Sequence, residues 1–135
     1  MRNSRYRYTR LVVALDSVGT FIVGALFLVT PDAALEFIGF GASEIEIWFA
    51  RFIGLLSVMY SVLLSTTSRH VEDKYFQRAT LALIGLNAIS AMSIYGAPGE
   101  ITTGREISTA IFAAVAFFLL ITLPIKPIGY KEKQK

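Results

Sequence analysis

The 135-residue chain has no cysteine, one histidine, one tryptophan and four prolines, and only 17% of its residues are charged. Without cysteine there is no disulfide scaffold and no thiolate-bound zinc or iron–sulfur centre. His70, the sole histidine, falls in a connector, so the chain alone offers no bis-histidine haem between helices. A soluble domain of this length carries about 25% charge to cover its surface. This chain falls well short of that and is 54% hydrophobic. The composition excludes a disordered polar tail and makes lipid, rather than water, the cover for much of the surface.

The apolar residues gather in four blocks, 11–30, 47–66, 78–95 and 107–123. At 1.5 Å per residue these are roughly 26–30 Å long, the thickness of a hydrocarbon core. In lipid every backbone N–H and C=O has to be satisfied within its own segment, so the blocks are expected to be helices. A soluble four-helix bundle would need a polar stripe on each helix, and residues 111–121 carry none. The connectors and tails reach 16 residues at most, too short for a further domain. The sequence thus predicts an all-α polytopic membrane protein: four transmembrane helices in an up-down bundle, one domain over residues 1–135. Residues 31–41 are too short to span and predict a short outer interfacial helix. Pro31 suits its first turn, and Leu35, Phe37, Ile38 and Phe40 would rest on the interface.

Charge sets the expected orientation. The first tail, the second connector with Arg78, and the last tail hold 11 of the 13 Lys and Arg residues. The opposite side has Arg105 and the acids Asp32, Glu36, Glu44, Glu46, Glu100 and Glu106. By the positive-inside rule both termini face the cytoplasm, or its organelle equivalent. The basic start followed by an apolar run resembles a secretory signal, but a run of about 20 residues fits an uncleaved anchor better. The basic tails point to anionic headgroups and not to nucleic acid. Tyr6, Tyr8, Tyr75, Phe76 and Tyr130 would form an inner aromatic belt, and Phe37, Phe40, Trp48, Phe49 and Tyr95 an outer one.

Two ionisable residues lie within spans, Asp16 and Arg51. Each costs about 2.5–3.5 kcal/mol at a helix centre and needs a partner. For Arg51 the expected partner is Glu106, which opens the fourth span at the same depth; the alternatives are snorkelling to headgroups or anchoring an anionic ligand. For Asp16 the candidates are Arg10, Arg78, Thr122, Ser61 and Ser65. Asn87 is the mid-depth amide and predicts an interhelical hydrogen bond. Ala50, Gly54, Ser57, Ser61 and Ser65 put small residues down one face of the second span, a pattern that lets helices approach closely. Ala82, Gly85 and Ala88 form a similar set on the third span, and Ala110, Ala113 and Ala114 on the fourth. Met59 and Met92 read as core fillers.

The layout resembles the small four-span DoxX-like membrane proteins, a broad group that includes quinone-linked oxidoreductase subunits. The basic tail before the first span, the outer segment 31–41 and the Arg51-Phe52-Ile53-Gly54 opening of the second span carry the resemblance. It implies a four-span fold and brings no catalytic residue with it. No Ser/His/Asp set, phosphate-cradling glycine loop or metal-ligand cluster is present in the sequence. The expected function is therefore a non-catalytic integral membrane subunit, packed in a larger membrane complex or a homo-oligomer, with no cofactor or metal of its own. Two alternatives stay open. One is a small ion- or proton-coupled transporter or channel acting as an oligomer, with Asp16 as the coupling group. The other is a quinone- or lipid-binding subunit of a membrane oxidoreductase, with Arg51 near the head group.

Overall fold

The computed structural model describes residues 6–98 and 101–124, with the backbone alone for Lys74. The described residues form five helices and no strand: α1 (Arg7–Val29), α2 (Pro31–Phe37), α3 (Glu44–His70), α4 (Asp73–Tyr95) and α5 (Thr103–Thr122). α1, α3, α4 and α5 are each long and apolar enough to cross a membrane. The protein is an integral, multi-pass, all-α membrane protein whose short helix, α2, lies between the first two spans. The helices overrun the apolar blocks, most at the ends near Arg7, His70, Asp73 and Thr103, because polar termini extend beyond the hydrocarbon.

Local chemistry explains the boundaries. Thr30 ends α1, and Pro31 opens α2 at a position where its missing N–H costs nothing. α2 stops in a Schellman turn: Gly39 takes φ 81°, its N–H reaches Glu36 O, and Phe40 N–H reaches Leu35 O. Ser43 and Glu46 form a reciprocal capping box on α3. α3 also carries Glu44 and Glu46 in its first turn and Arg69 and His70 in its last, as its dipole favours. Thr102 caps α5 by accepting from the Arg105 N–H.

Packing is by pairs. α1 lies along α3 and α4 along α5; the pairs meet mainly where α1 touches α5, while α3 and α4 share little contact. The closest approach between long helices is the α1–α3 crossing. A Cβ on Gly24 would sit 2.9 Å from Gly54 O, and one on Gly54 would sit 2.8 Å from Gly24 O. The buried core of Tyr6, Val13, Leu64, Phe76, Leu83, Leu119 and Leu123 gathers toward the end that holds the α1 N-terminus and the α3–α4 turn. We call this the basic end, and the other the acidic end. Leu, Ile, Val and Phe side chains on all four long helices face outward, as lipid contact requires.

Three expectations need correction. Tyr6 and Phe76 are not belt residues: both are buried, in edge-to-face contact at 5.6 Å, while Tyr8, Tyr75, Trp48 and Tyr95 are exposed. Tyr130 lies outside the described residues. Met59 and Met92 face outward instead of filling the core. The small residues of α4 and α5 also point away from the bundle, with Ala82, Ala88, Ala110, Ala113 and Ala114 exposed and open space around Gly85. Alanine and glycine face lipid at little cost, so their spacing alone does not mark a packed face.

Candidate functional site

Each end of the bundle is tied by one arginine. At the basic end Arg10 donates to the Thr67, Ser68 and Val71 carbonyls at the end of α3, pairs with Asp73 at 2.9 Å, and lies over the Phe76 ring at 4.2 Å. It thereby satisfies carbonyls that a helix terminus leaves without partners. Thr9 adds a 2.7 Å bond to Thr122 O, fastening α1 to α5. At the acidic end Arg105, only 1% exposed, donates to Ile38 O at 3.0 Å, Ala97 O at 2.7 Å and Pro98 O at 3.2 Å. Its guanidinium also faces the Phe40 ring at 5.2 Å. Thr102 donates to Phe37 O at 2.7 Å, and a Cβ on Gly104 would collide with the same oxygen. Glycine is thus required where α5 meets α2.

Between these ties, near mid-helix, lies a cavity of about 510 Å³. Thr20 of α1, Ile53, Leu56, Ser57 and Tyr60 of α3, Leu86, Asn87 and Ser90 of α4, and Phe112 of α5 line it. The volume is within the range of small-molecule sites, roughly 300–1,000 Å³. It follows from the pairwise packing: α3 and α4 supply most of the walls yet barely touch, so the space lies between them.

Asp16 sits one turn from Thr20 toward the basic end and is half-buried. It is nine residues into α1, roughly 13 Å along the axis from Arg7. Thr20 Oγ1 donates to Asp16 Oδ1 at 3.4 Å, while Asp16 Oδ2 is buried with no hydrogen-bond partner among the described residues. Asn87 and Tyr60 are its polar neighbours across the bundle. Asn87 spends an amide N–H on Leu83 O of its own helix at 3.0 Å, and the Tyr60 hydroxyl is buried without a partner. Thr20, Tyr60 and Asn87, from three helices, give the apolar cavity a polar floor, and Asp16 stands behind it, outside the lining.

The predicted partners of Asp16 lie elsewhere. Arg10 serves the α3–α4 turn, Arg78 is exposed, Ser61 donates to Val58 O and Thr122 to Phe118 O, and Ser65 O accepts from Ser68. Asn87, besides its intrahelical bond, faces Asp16 across the bundle as a hydrogen-bonding neighbour on another helix, the interhelical role expected of it. The Arg51–Glu106 bridge is not formed: both side chains are exposed and make no ion pair with each other. Neither is a buried charge. Arg51 faces out from α3, where its stem can carry the charge to the headgroups, and it does not line the cavity.

On α3, Ala50, Gly54 and Ser61 are buried and Ser57 and Ser65 half-buried, and the stripe meets α1 at Gly24. Ser57 lies both beside Gly24 and on the cavity wall. Sequence reasoning missed Tyr60, Thr20 and Arg105. Thr20 had a readable signal, since it is four residues after Asp16 on the same helix face. No group of three His, Asp or Glu residues that could hold a metal occurs among the described residues. No family model, curated protein or solved structure matches the chain.

Proposed function

We propose that this protein is a non-catalytic membrane subunit that holds a small amphiphilic molecule, taken from the bilayer, in the cavity between α3 and α4. The observation that carries the reading is the combination of an apolar cavity with a polar floor at mid-helix depth. Polar groups at that depth are costly and mark functional sites by default. The sparse α3–α4 contact gives a lateral path from lipid, so the ligand need not cross water. Its role is to bind and present that molecule within a larger membrane assembly or homo-oligomer.

Native mass spectrometry after mild extraction tests this directly. The wild type is expected to retain a small-molecule adduct together with protein partners or further copies. Ser90→Phe, which puts a ring on the cavity wall, is expected to lose the adduct while keeping the partners. A bare wild-type monomer with no adduct would contradict the proposal.

The same reading places both termini in the cytoplasm, from the excess of Lys and Arg at the basic end. Because the chain has no cysteine, single replacements report cleanly on this. His70→Cys is expected to resist a membrane-impermeant maleimide in intact cells, and Asp32→Cys to react. The reverse pattern would invert the topology.

A further inference from the structure

The polar groups around the cavity are not equally open. The Thr20 hydroxyl turns to Asp16 Oδ1, and the Asn87 amide serves Leu83 O and Asp16. The Tyr60 hydroxyl is buried, and Asp16 stands outside the lining with its Oδ2 buried as well. Two hydroxyls remain, Ser57 on α3 and Ser90 on α4. Each lies one turn toward the acidic end from the floor, Ser57 next to Tyr60 and Ser90 next to Asn87. Serines elsewhere in the spans, such as Ser17, Ser61 and Ser68, donate to a carbonyl one turn back on their own helix. Ser57 and Ser90 make no hydrogen bond through their side chains among the described residues. Both are half-buried, and neither oxygen is closed off as that of Tyr60 is.

No charged side chain lines the cavity. Arg10 is held at the basic end by Asp73 and the carbonyls of α3, and Arg105 is held at the acidic end by loop carbonyls. Arg51 and Arg78 point outward. Asp16 Oδ2, sealed behind the floor, offers a cation in the cavity no contact. An ion of either sign would therefore give up its water and meet no counter-charge, a loss that hydroxyl contacts do not make good. A hydroxyl both donates and accepts, so two of them suit an uncharged oxygen.

We propose that the cavity holds an uncharged amphiphile, its oxygen-bearing end set over the floor at the Ser57 and Ser90 hydroxyls and its apolar body against Ile53, Leu56, Leu86 and Phe112. This rests on the cavity being a ligand site, and it names the chemical class of the ligand. Ile53, Leu56 and Leu86 are themselves half-exposed, so the wall they form opens sideways to the acyl chains. A molecule without charge travels that route with no ion to desolvate, and its tail can stay in the bilayer. The two serines stand on the two helices that share little contact. A ligand bonded to both would thus bridge α3 and α4 where the protein itself does not.

Calorimetric titration of the full chain in detergent micelles, at neutral pH and against protein-free micelles, separates this proposal from the reading beneath it. Four probes share one carbon skeleton: phenylbutanol is uncharged, phenylbutylamine is a cation, phenylbutyrate is an anion, and butylbenzene has no polar end. The wild type is expected to bind the alcohol about tenfold or more tightly than either ion, because the ions lose their water unpaired. Ser57→Ala and Ser90→Ala are each expected to weaken the alcohol about three- to tenfold, the worth of one hydrogen bond. Both variants are expected to bind butylbenzene as the wild type does, which separates a lost hydrogen bond from a lost shape. An ion that binds the wild type as tightly as the alcohol overturns the uncharged assignment and leaves the cavity as a ligand site. Alanine variants that hold the alcohol as well as the wild type does overturn it in the same way. If none of the four compounds binds the wild type, the ligand-site reading falls and the assignment with it.

Discussion

At the scale of single residues, the two arginines that hold the fold are not the ones that charge counting singles out. Arg51 attracts notice because it lies within an apolar block, yet it faces outward. Arg105 precedes the fourth apolar block among acids, sits in the first turn of α5 and is buried against three loop carbonyls. Removing it leaves those carbonyls unpartnered, a penalty of about 1–3 kcal/mol for each buried group. Arg105→Gln is therefore expected to destabilise the protein by roughly 2–4 kcal/mol, measured by SDS titration followed by circular dichroism. Arg51→Gln should change stability little in the same titration. A larger loss for Arg51→Gln than for Arg105→Gln would refute the assignment. The role of Arg105 was not legible in the sequence, because its acceptor Ile38 is 67 residues away and nothing local marks that carbonyl as open.

At the scale of elements, glycine position decides whether two helices touch. Gly54 and Gly24 meet across α1 and α3 with backbone oxygens within 3.0 Å of where a Cβ would stand, whereas Gly85 on α4 meets nothing within 4 Å. Gly54→Ala must push the helices apart and is expected to cost about 1–3 kcal/mol. Gly85→Ala is expected to be neutral or to stabilise by up to about 1 kcal/mol, through helix propensity alone. Equal effects of the two substitutions, in the same unfolding titration, would remove the α1–α3 crossing as the close contact between the long helices. The existence of the helices could be read directly, because a run of about 20 apolar residues has one solution in lipid. The short α2 was also readable, from Pro31 and the glycines that follow it. Which face of α4 or α5 packs was not, since a residue that suits lipid also suits a close helix contact.

At the scale of the whole molecule, the decisive feature is how the two helix pairs meet. Short connectors suggest that neighbours in sequence are neighbours in space, and α3 and α4 have the shortest link between any two of the long helices. Yet Arg10, from α1, occupies that corner and bonds the end of α3 and the start of α4. The pairs join instead through α1 and α5, and the space left between α3 and α4 becomes the cavity. Asp16 was legible as a costly residue needing an explanation. Its surroundings were not, because Thr20, Tyr60 and Asn87 converge only once the order of helices around the bundle is known. The most direct measurement is a cryo-EM map of the protein in lipid nanodiscs. The predicted result is non-protein density between α3 and α4, with Thr20, Tyr60 and Asn87 around its polar end. A map in which α3 and α4 close against each other and side chains fill the space beside Tyr60 and Asn87 would contradict a ligand site there.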